Sequence, residues 1–227
     1  LTGDKFYDIT PLANTVATCS LTSSSGSSTV TVQKTSHSLD AGQLVIFQNV
    51  TLPGGGATSF TADNFSTTNV FEIQSVSANS FNVVMASSES GSGMSSAGNV
   101  DTRPYEVIGP AFQTSQFGWG TGTWNLSTWG TARPSSSVTL DPGGWFLDNF
   151  GEILVATVHN GKSFSWSPSA ANPLETRATI IANAPTASVG TIVSDKDRHL
   201  IFFGTETTIG NNTTQDKMFV RFSDQEN

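Results

Sequence analysis

Charge is what this sequence has least of. Lysine, arginine, aspartate and glutamate make up 12% of its 227 residues, about half the share usual in soluble domains. Between residues 9 and 100 only Lys34, Asp40, Asp63, Glu72 and Glu89 are charged. A stretch so poorly solvated by its own side chains predicts a surface that faces other protein. Cysteine is nearly absent as well. Cys19 stands alone, which excludes an intrachain disulfide and any cysteine-built metal site. No apolar run approaches the roughly 18 residues that a membrane-spanning helix needs, and no membrane partner is expected.

What is abundant points to one class. Serine, threonine, asparagine and glycine are plentiful, and valine, isoleucine and phenylalanine supply most of the apolar content. That is a β composition, poor in helix formers. The length suffices for one large β domain or two smaller ones, burying about 70% of the unfolded surface. A formal charge of −8 argues against a surface that grips phosphate backbones by counterion release. It is compatible with a negative conduit, to whose wall DNA does not adhere.

The C-terminal half writes one β unit twice. Trp145 to Thr157 is an apolar run, an acidic turn and a second apolar run, and Ile192 to Thr205 repeats that layout. Asp148 answers to Asp195 and Leu154 to Ile201, 47 positions on each time. Each copy closes with a short aromatic strand, Ser163-Phe164-Ser165-Trp166-Ser167 and Phe219-Val220-Arg221-Phe222-Ser223. Units of this length, each a small antiparallel sheet, are the signature of β-propeller blades. Two cannot close a ring, and the expected fold is all-β: partial propeller blades with an inserted small β-barrel or sandwich module.

Three segments follow from this reading. Residues 1–13 hold one strand of an incomplete blade, Lys5 to Pro11. Residues 14–105 form the inserted module, with strands expected at Ser28 to Gln33, Leu44 to Phe47, Phe71 to Val76 and Ser80 to Met85. Ser77-Ala78-Asn79 joins the last two as a hairpin. The tract Ser87 to Gly98 has the composition of a flexible link. Residues 106–227 hold a Trp/Gly-rich loop and two blades. The chain opens without an initiator Met and stops directly after a strand, so both ends read as cut from something longer.

Few residues offer chemistry. Trp119, Trp124 and Trp129 recur every five residues among glycines. Exposed indoles in glycine loops stack on sugar rings, whereas the same glycines also let a loop fold its indoles onto a core. Asp195 with Asp197, and Asp148 with Glu152, are the acid pairs that a glycosidase would need. Both are placed by the repeat in the connection between two strands, where aspartate is a common turn former. His37, His159 and His199 lack metal-ligand spacing, and no Gly-x-Ser-x-Gly elbow occurs. Gly54-Gly55-Gly56 lacks the Lys-Ser/Thr and the helix of a phosphate cradle. No catalytic residue, metal or cofactor is expected.

Several segments together resemble the tail nozzle or hub proteins of short-tailed phages. They are Phe6-Tyr7-Asp8-Ile9-Thr10-Pro11, His37-Ser38-Leu39-Asp40-Ala41-Gly42, Gly118 to Trp124, Leu147 to Glu152, Ser194 to Ile201 and Arg221 to Glu226. The resemblance implies a non-enzymatic virion protein: a propeller-bearing subunit with an inserted β module, in a homo-oligomeric ring at the distal end of the tail. It would continue the DNA channel below the portal, contact other tail proteins such as adaptor and fibre, and let packaged DNA pass without sequence-specific binding. A glycan-binding adhesin or receptor-binding tail protein using Trp119, Trp124 and Trp129 is the alternative. A propeller glycosidase using Asp195 or Asp148 is a third.

Overall fold

Valines alternating with threonines set the first sheet. In Thr29–Gln33 the side chains of Val30 and Val32 are fully buried while the threonines between them stay half-exposed, the period of two expected of a half-buried strand. A computed structural model describes residues 7–53, 57–109, 143–170, 176–194 and 196–225. It divides the chain into two compact units. Thr10–Val107 is continuous, and Leu1–Ile9 joins Ile108–Asn227 in the other.

The Thr10–Val107 unit is one antiparallel sheet of seven strands: β1 (Val16–Ser23), β2 (Thr29–Gln33), β3 (Leu44–Thr51), β4 (Phe71–Glu72), β5 (Ser75–Ser77), β6 (Ser80–Val84) and β7 (Ala97–Pro104). Their order across the sheet is β4-β3-β7-β1-β2-β6-β5. The two outermost strands are therefore neighbours in sequence. The run Phe71 to Val76, expected as one strand, is split at Ile73 and Gln74. Ile73 N–H bonds to Gln43 O beside β3, whereas Gln74 N–H bonds to Asn82 O in β6. One short stretch thus serves both edges, and the sheet curls into a half-barrel.

The concave side holds the core. Leu21, Val30, Val32, Val45, Phe47, Phe65, Phe81, Val83 and Val100 are fully buried there. A short 3-10 turn at Ala62–Phe65, capped through Thr61 and Asn64, inserts Phe65 edge-on to Phe47 with 5.7 Å between ring centroids. Aromatic pairs of this kind add to the area they bury.

One further expectation for this unit is corrected. Ser87 to Gly98 is not a flexible link: it carries the buried Met94, and its backbone bonds to Ser27, Ser23 and Ala57. What composition hides is Glu89, whose carboxylate gathers the tract around itself. The strands β1 and β3 also depart from regular pairing with β7 at Cys19 and between Gln48 and Thr51. Thr18 and Asn49 have left-handed backbone at these bulges, φ 59° and 52°.

The second unit contains two meanders. The first pairs β8 (Trp145–Phe150), β9 (Ile153–Val158), β10 (Ser163–Trp166) and β11 (Thr179–Ile180) in consecutive order. The second pairs β12 (Gly190–Val193), β13 (Leu200–Phe203) and β14 (Val220–Phe222). The repeat read in the sequence is thus a repeat of antiparallel sheets, and among the described residues the regular structure is all-β apart from short 3-10 turns.

Its details differ from the expectation at two points. Phe150 pairs with Ile153 across a two-residue turn containing Gly151, whereas Val193 and Leu200 are joined by the longer stretch 194–199. Asp148 therefore lies inside β8 and not in a turn. Tyr7 to Pro11, expected as strand, has no ladder of its own among the described residues; Ile9 O accepts one bond from Ala178 N beside β11.

Candidate functional site

Register and alternation sort the side chains of each meander onto two faces. In the first, Phe146, Asp148, Val155 and Thr157 share one face, and Leu147, Leu154, Ala156, Phe164 and Trp166 share the other. In the second, Thr191, Val193, Leu200, Phe202 and Arg221 share one face, and Ile192, Ile201, Phe203, Val220 and Phe222 share the other.

The Val155 face of the first meander packs on the Phe202 face of the second. Val155, Leu200 and Phe202 form a buried cluster with Phe150 and Val193 at its margin. Two polar links pin the joint. Thr157 Oγ1 donates to Thr191 Oγ1 at 2.9 Å, and Val193 N–H, on the free edge of β12, donates to Asp148 Oδ2 at 2.7 Å.

Among the described residues, the opposite face of the second meander has no such cover. Phe222 is 74% exposed and Val220 53%, with Ile192 and Phe203 more than a third exposed beside them. A three-stranded row of isoleucine, valine and phenylalanine open to water is an interaction surface, not a scatter of single apolar residues. Among the described residues β14 is also the sheet's last strand, so its outer backbone edge lies next to this face.

A cleft of about 600 Å³ runs along β14, with Val220 and Phe222 as well as Arg221 in its lining. Ile181, Pro185, Ile209, Phe219, Arg221 and Asp224 are among its lining residues. Arg221 is fixed there: Nη2 donates to Thr207 O at 2.7 Å, and its guanidinium stacks 5.0 Å from the Phe219 ring centroid. The loop below is held by the buried Glu206, whose carboxylate accepts from Thr186 N, Ala187 N and Gly210 N at 2.7 to 2.9 Å. Burial raises the pKa of Glu206, and the bonds from Thr186, Gly210 and Ala187 outweigh it, leaving it below the ordinary carboxylate range.

The residues singled out in the sequence are not assembled at this cleft. Trp119, Trp124 and Trp129 lie outside the described residues, as does Asp195. Asp148 is engaged with Val193, Glu152 sits in the β8–β9 turn and Asp197 in the stretch before β13. None of these three acids lines the cleft.

The histidines bond to backbone. His37 Nε2 lies 2.9 Å from Ser77 O and its Nδ1 accepts from Leu39 N; His159 Nδ1 lies 2.9 Å from Val189 O and His199 Nδ1 2.8 Å from Ser223 O. Among the described residues, no three His, Cys, Asp or Glu side chains gather as a metal site.

The sequence reading passed over the two buried carboxylates. Glu89 accepts from Thr58 Oγ1 and Ser59 N at 2.6 Å, Ser59 Oγ at 2.7 Å, Gly91 N at 2.9 Å and Ser23 Oγ at 3.0 Å. The usable signal was an isolated acid in a Ser/Gly tract of a charge-poor module, because such an acid survives only where donors surround it.

No protein-family model and no curated protein matches the chain. Among solved structures there is a slight likeness to a phage phi92 endosialidase, at 16% identity and a TM-score of 0.30. The match covers 96% of this chain and 32% of the other, so this chain spans about a third of that protein's length.

Proposed function

We propose that this chain is a structural component of a phage tail, a nozzle or hub subunit in a homo-oligomeric ring that continues the DNA channel below the portal. The observation that carries the reading is the open apolar Phe203 face, a surface made to be covered by protein. The nozzle-like segments spread along the sequence supply the setting. The net charge of −8 suits a wall along which DNA slides without sticking. Within this reading the two buried carboxylates keep loops rigid and take no part in chemistry.

The test is to locate the chain in the particle. Mass spectrometry of purified virions, with gold-labelled antibody imaged on the tail, is expected to place it in a ring on the tail axis. Label confined to fibres would favour the glycan-binding adhesin, and absence from virions would overturn both.

A further inference from the structure

The sulfur atoms of the chain fall into two groups that the fold keeps apart. Met85 and Met94 belong to the core of the Thr10–Val107 unit, 5% and 1% exposed, and Cys19 is buried with them. Burial raises the pKa of the Cys19 thiol, so it stays in the protonated form, which is a poor nucleophile. Met218, in the other unit, is 88% exposed. Methionine ordinarily uses its flexible apolar chain to fill gaps in a core. One held almost wholly in water has a local cause.

The cause is a pinned turn. Asp216 N–H donates to Thr205 O at 3.0 Å, and Phe219 N–H donates to Asp216 O at 3.0 Å, closing a four-residue turn with Lys217 and Met218 at its centre. Asp216 Oδ1 accepts from Met218 N at 2.9 Å, as aspartate at the head of a turn commonly does. Gln215 is tied down as well, its Nε2 donating to Gly204 O at 2.8 Å. These bonds fix the backbone on both sides of Met218 and hold its side chain in solvent. The exposure is therefore a property of the folded turn.

We propose that Met218 is a redox modification site, the one methionine of the three in the sequence whose sulfur is open to two-electron oxidants of the peroxide class. Its sulfur lone pair attacks one oxygen of hydrogen peroxide, so that an S–O bond forms as the O–O bond breaks. Sulfur loses two electrons and peroxide gains them; the displaced hydroxide takes the proton of the attacked oxygen and leaves as water. The sulfoxide puts a polar acceptor at the head of β14, next in sequence to the exposed Phe219 and Val220. The change thus falls on the open surface of the second meander and spares the cores. The site needs only the chain's own fold and stands apart from the tail reading.

Peroxide treatment of the whole chain, followed by peptide mass spectrometry over time, tests the site. The peptide carrying Met218 is expected to gain one oxygen atom at least about tenfold faster than those carrying Met85 and Met94, with the Cys19 peptide unmodified. In denaturant the three methionines are expected to react at similar rates. Similar rates in the folded chain, or a lead for Met218 that survives denaturant, would overturn the inference. Chain oxidised at Met218 alone is expected to keep the melting temperature of untreated chain by circular dichroism, because the side chain buries so little. A lowered melting temperature would show a packed side chain and overturn the inference too. Met218→Leu is expected to melt like the native sequence and to take up no oxygen over the same interval; uptake by that variant would place the reactive sulfur elsewhere.

Discussion

Asp148 in the middle of β8 accepts the backbone N–H of Val193 from the free edge of β12, with 2.7 Å between the atoms. The carboxylate does what a further strand would do for that edge, and in doing so it sets the spacing of the two meanders. Removing it leaves Val193 N–H without its acceptor at a partly buried joint. Asp148→Ala is expected to lower stability by about 1–3 kcal/mol. Asp148→Asn, which keeps an acceptor oxygen, is expected to lose about half of that or less. Urea unfolding followed by fluorescence of the meander tryptophans measures both, and equal losses would show that charge, not the acceptor, matters.

Glu89 gives a pH dependence with a definite sign. Burial pushes its pKa up, but the bonds from Thr58, Ser59 and Gly91 outweigh burial and hold it at about 2. An unfolded glutamate titrates near 4.3. The folded state therefore gains stability from this group above pH ~4.3, and that gain is lost as the pH falls towards 2. The melting temperature of the Thr10–Val107 unit, followed in the whole chain, is expected to fall over that window. Glu89→Gln is expected to be less stable at neutral pH by about 2 kcal/mol and to show a flatter acid profile. Parallel profiles for the two proteins would remove Glu89 from this role.

Much of this architecture was legible because it rests on short-range pattern. The alternation in Thr29–Gln33, the Ala78-Asn79 turn and the doubled meander follow from period and turn chemistry. The split at Ile73 and Gln74 was not legible, since it depends on which strands those two backbones reach. Asp148 was misplaced for a similar reason. Composition fits a turn, whereas its partner lies 45 residues away in Val193. The open Phe203 face is visible in the sequence only as one more apolar alternation, indistinguishable from its covered counterpart until the neighbouring sheet is in place.

Thr18 and Asp101 meet at the bulges beside β7. Thr18 is exposed, has φ 59°, and donates its N–H to Asp101 Oδ1 at 2.8 Å, while Asn49 Nδ2 donates to Asp101 Oδ2 at 2.7 Å. One carboxylate thus clasps the bulges on both sides of β7. The bond from Asn49, then that from Thr18, hold its pKa below the ordinary range. A β-branched residue in left-handed backbone costs about 1–2 kcal/mol. Thr18→Gly is expected to raise stability by up to about 1 kcal/mol once the added chain entropy of glycine is set against it. Asp101→Ala is expected to lower it. A destabilised Thr18→Gly would mean that its side chain makes a contribution beyond the bulge.

Two glycines with the same backbone hand separate conformational cost from steric cost. Gly26 has φ 79° in the turn after β1, and a Cβ there would meet nothing within 4 Å. Gly93 has φ 94°, and a Cβ there would run into the carbonyl of Ser23. That carbonyl sits beside the hydroxyl that donates to Glu89, so the clash would be felt at the carboxylate's cage. Gly26→Ala is expected to cost about 1 kcal/mol, the price of the left-handed conformation alone. Gly93→Ala is expected to cost at least twice as much, since backbone must shift as well. It should also raise the acid midpoint of unfolding as the donors around Glu89 move apart, an effect absent from Gly26→Ala. Equal costs with unchanged acid midpoints would show that the Ser87 to Gly98 tract yields more easily than its bonds to Ser23 and Ala57 imply.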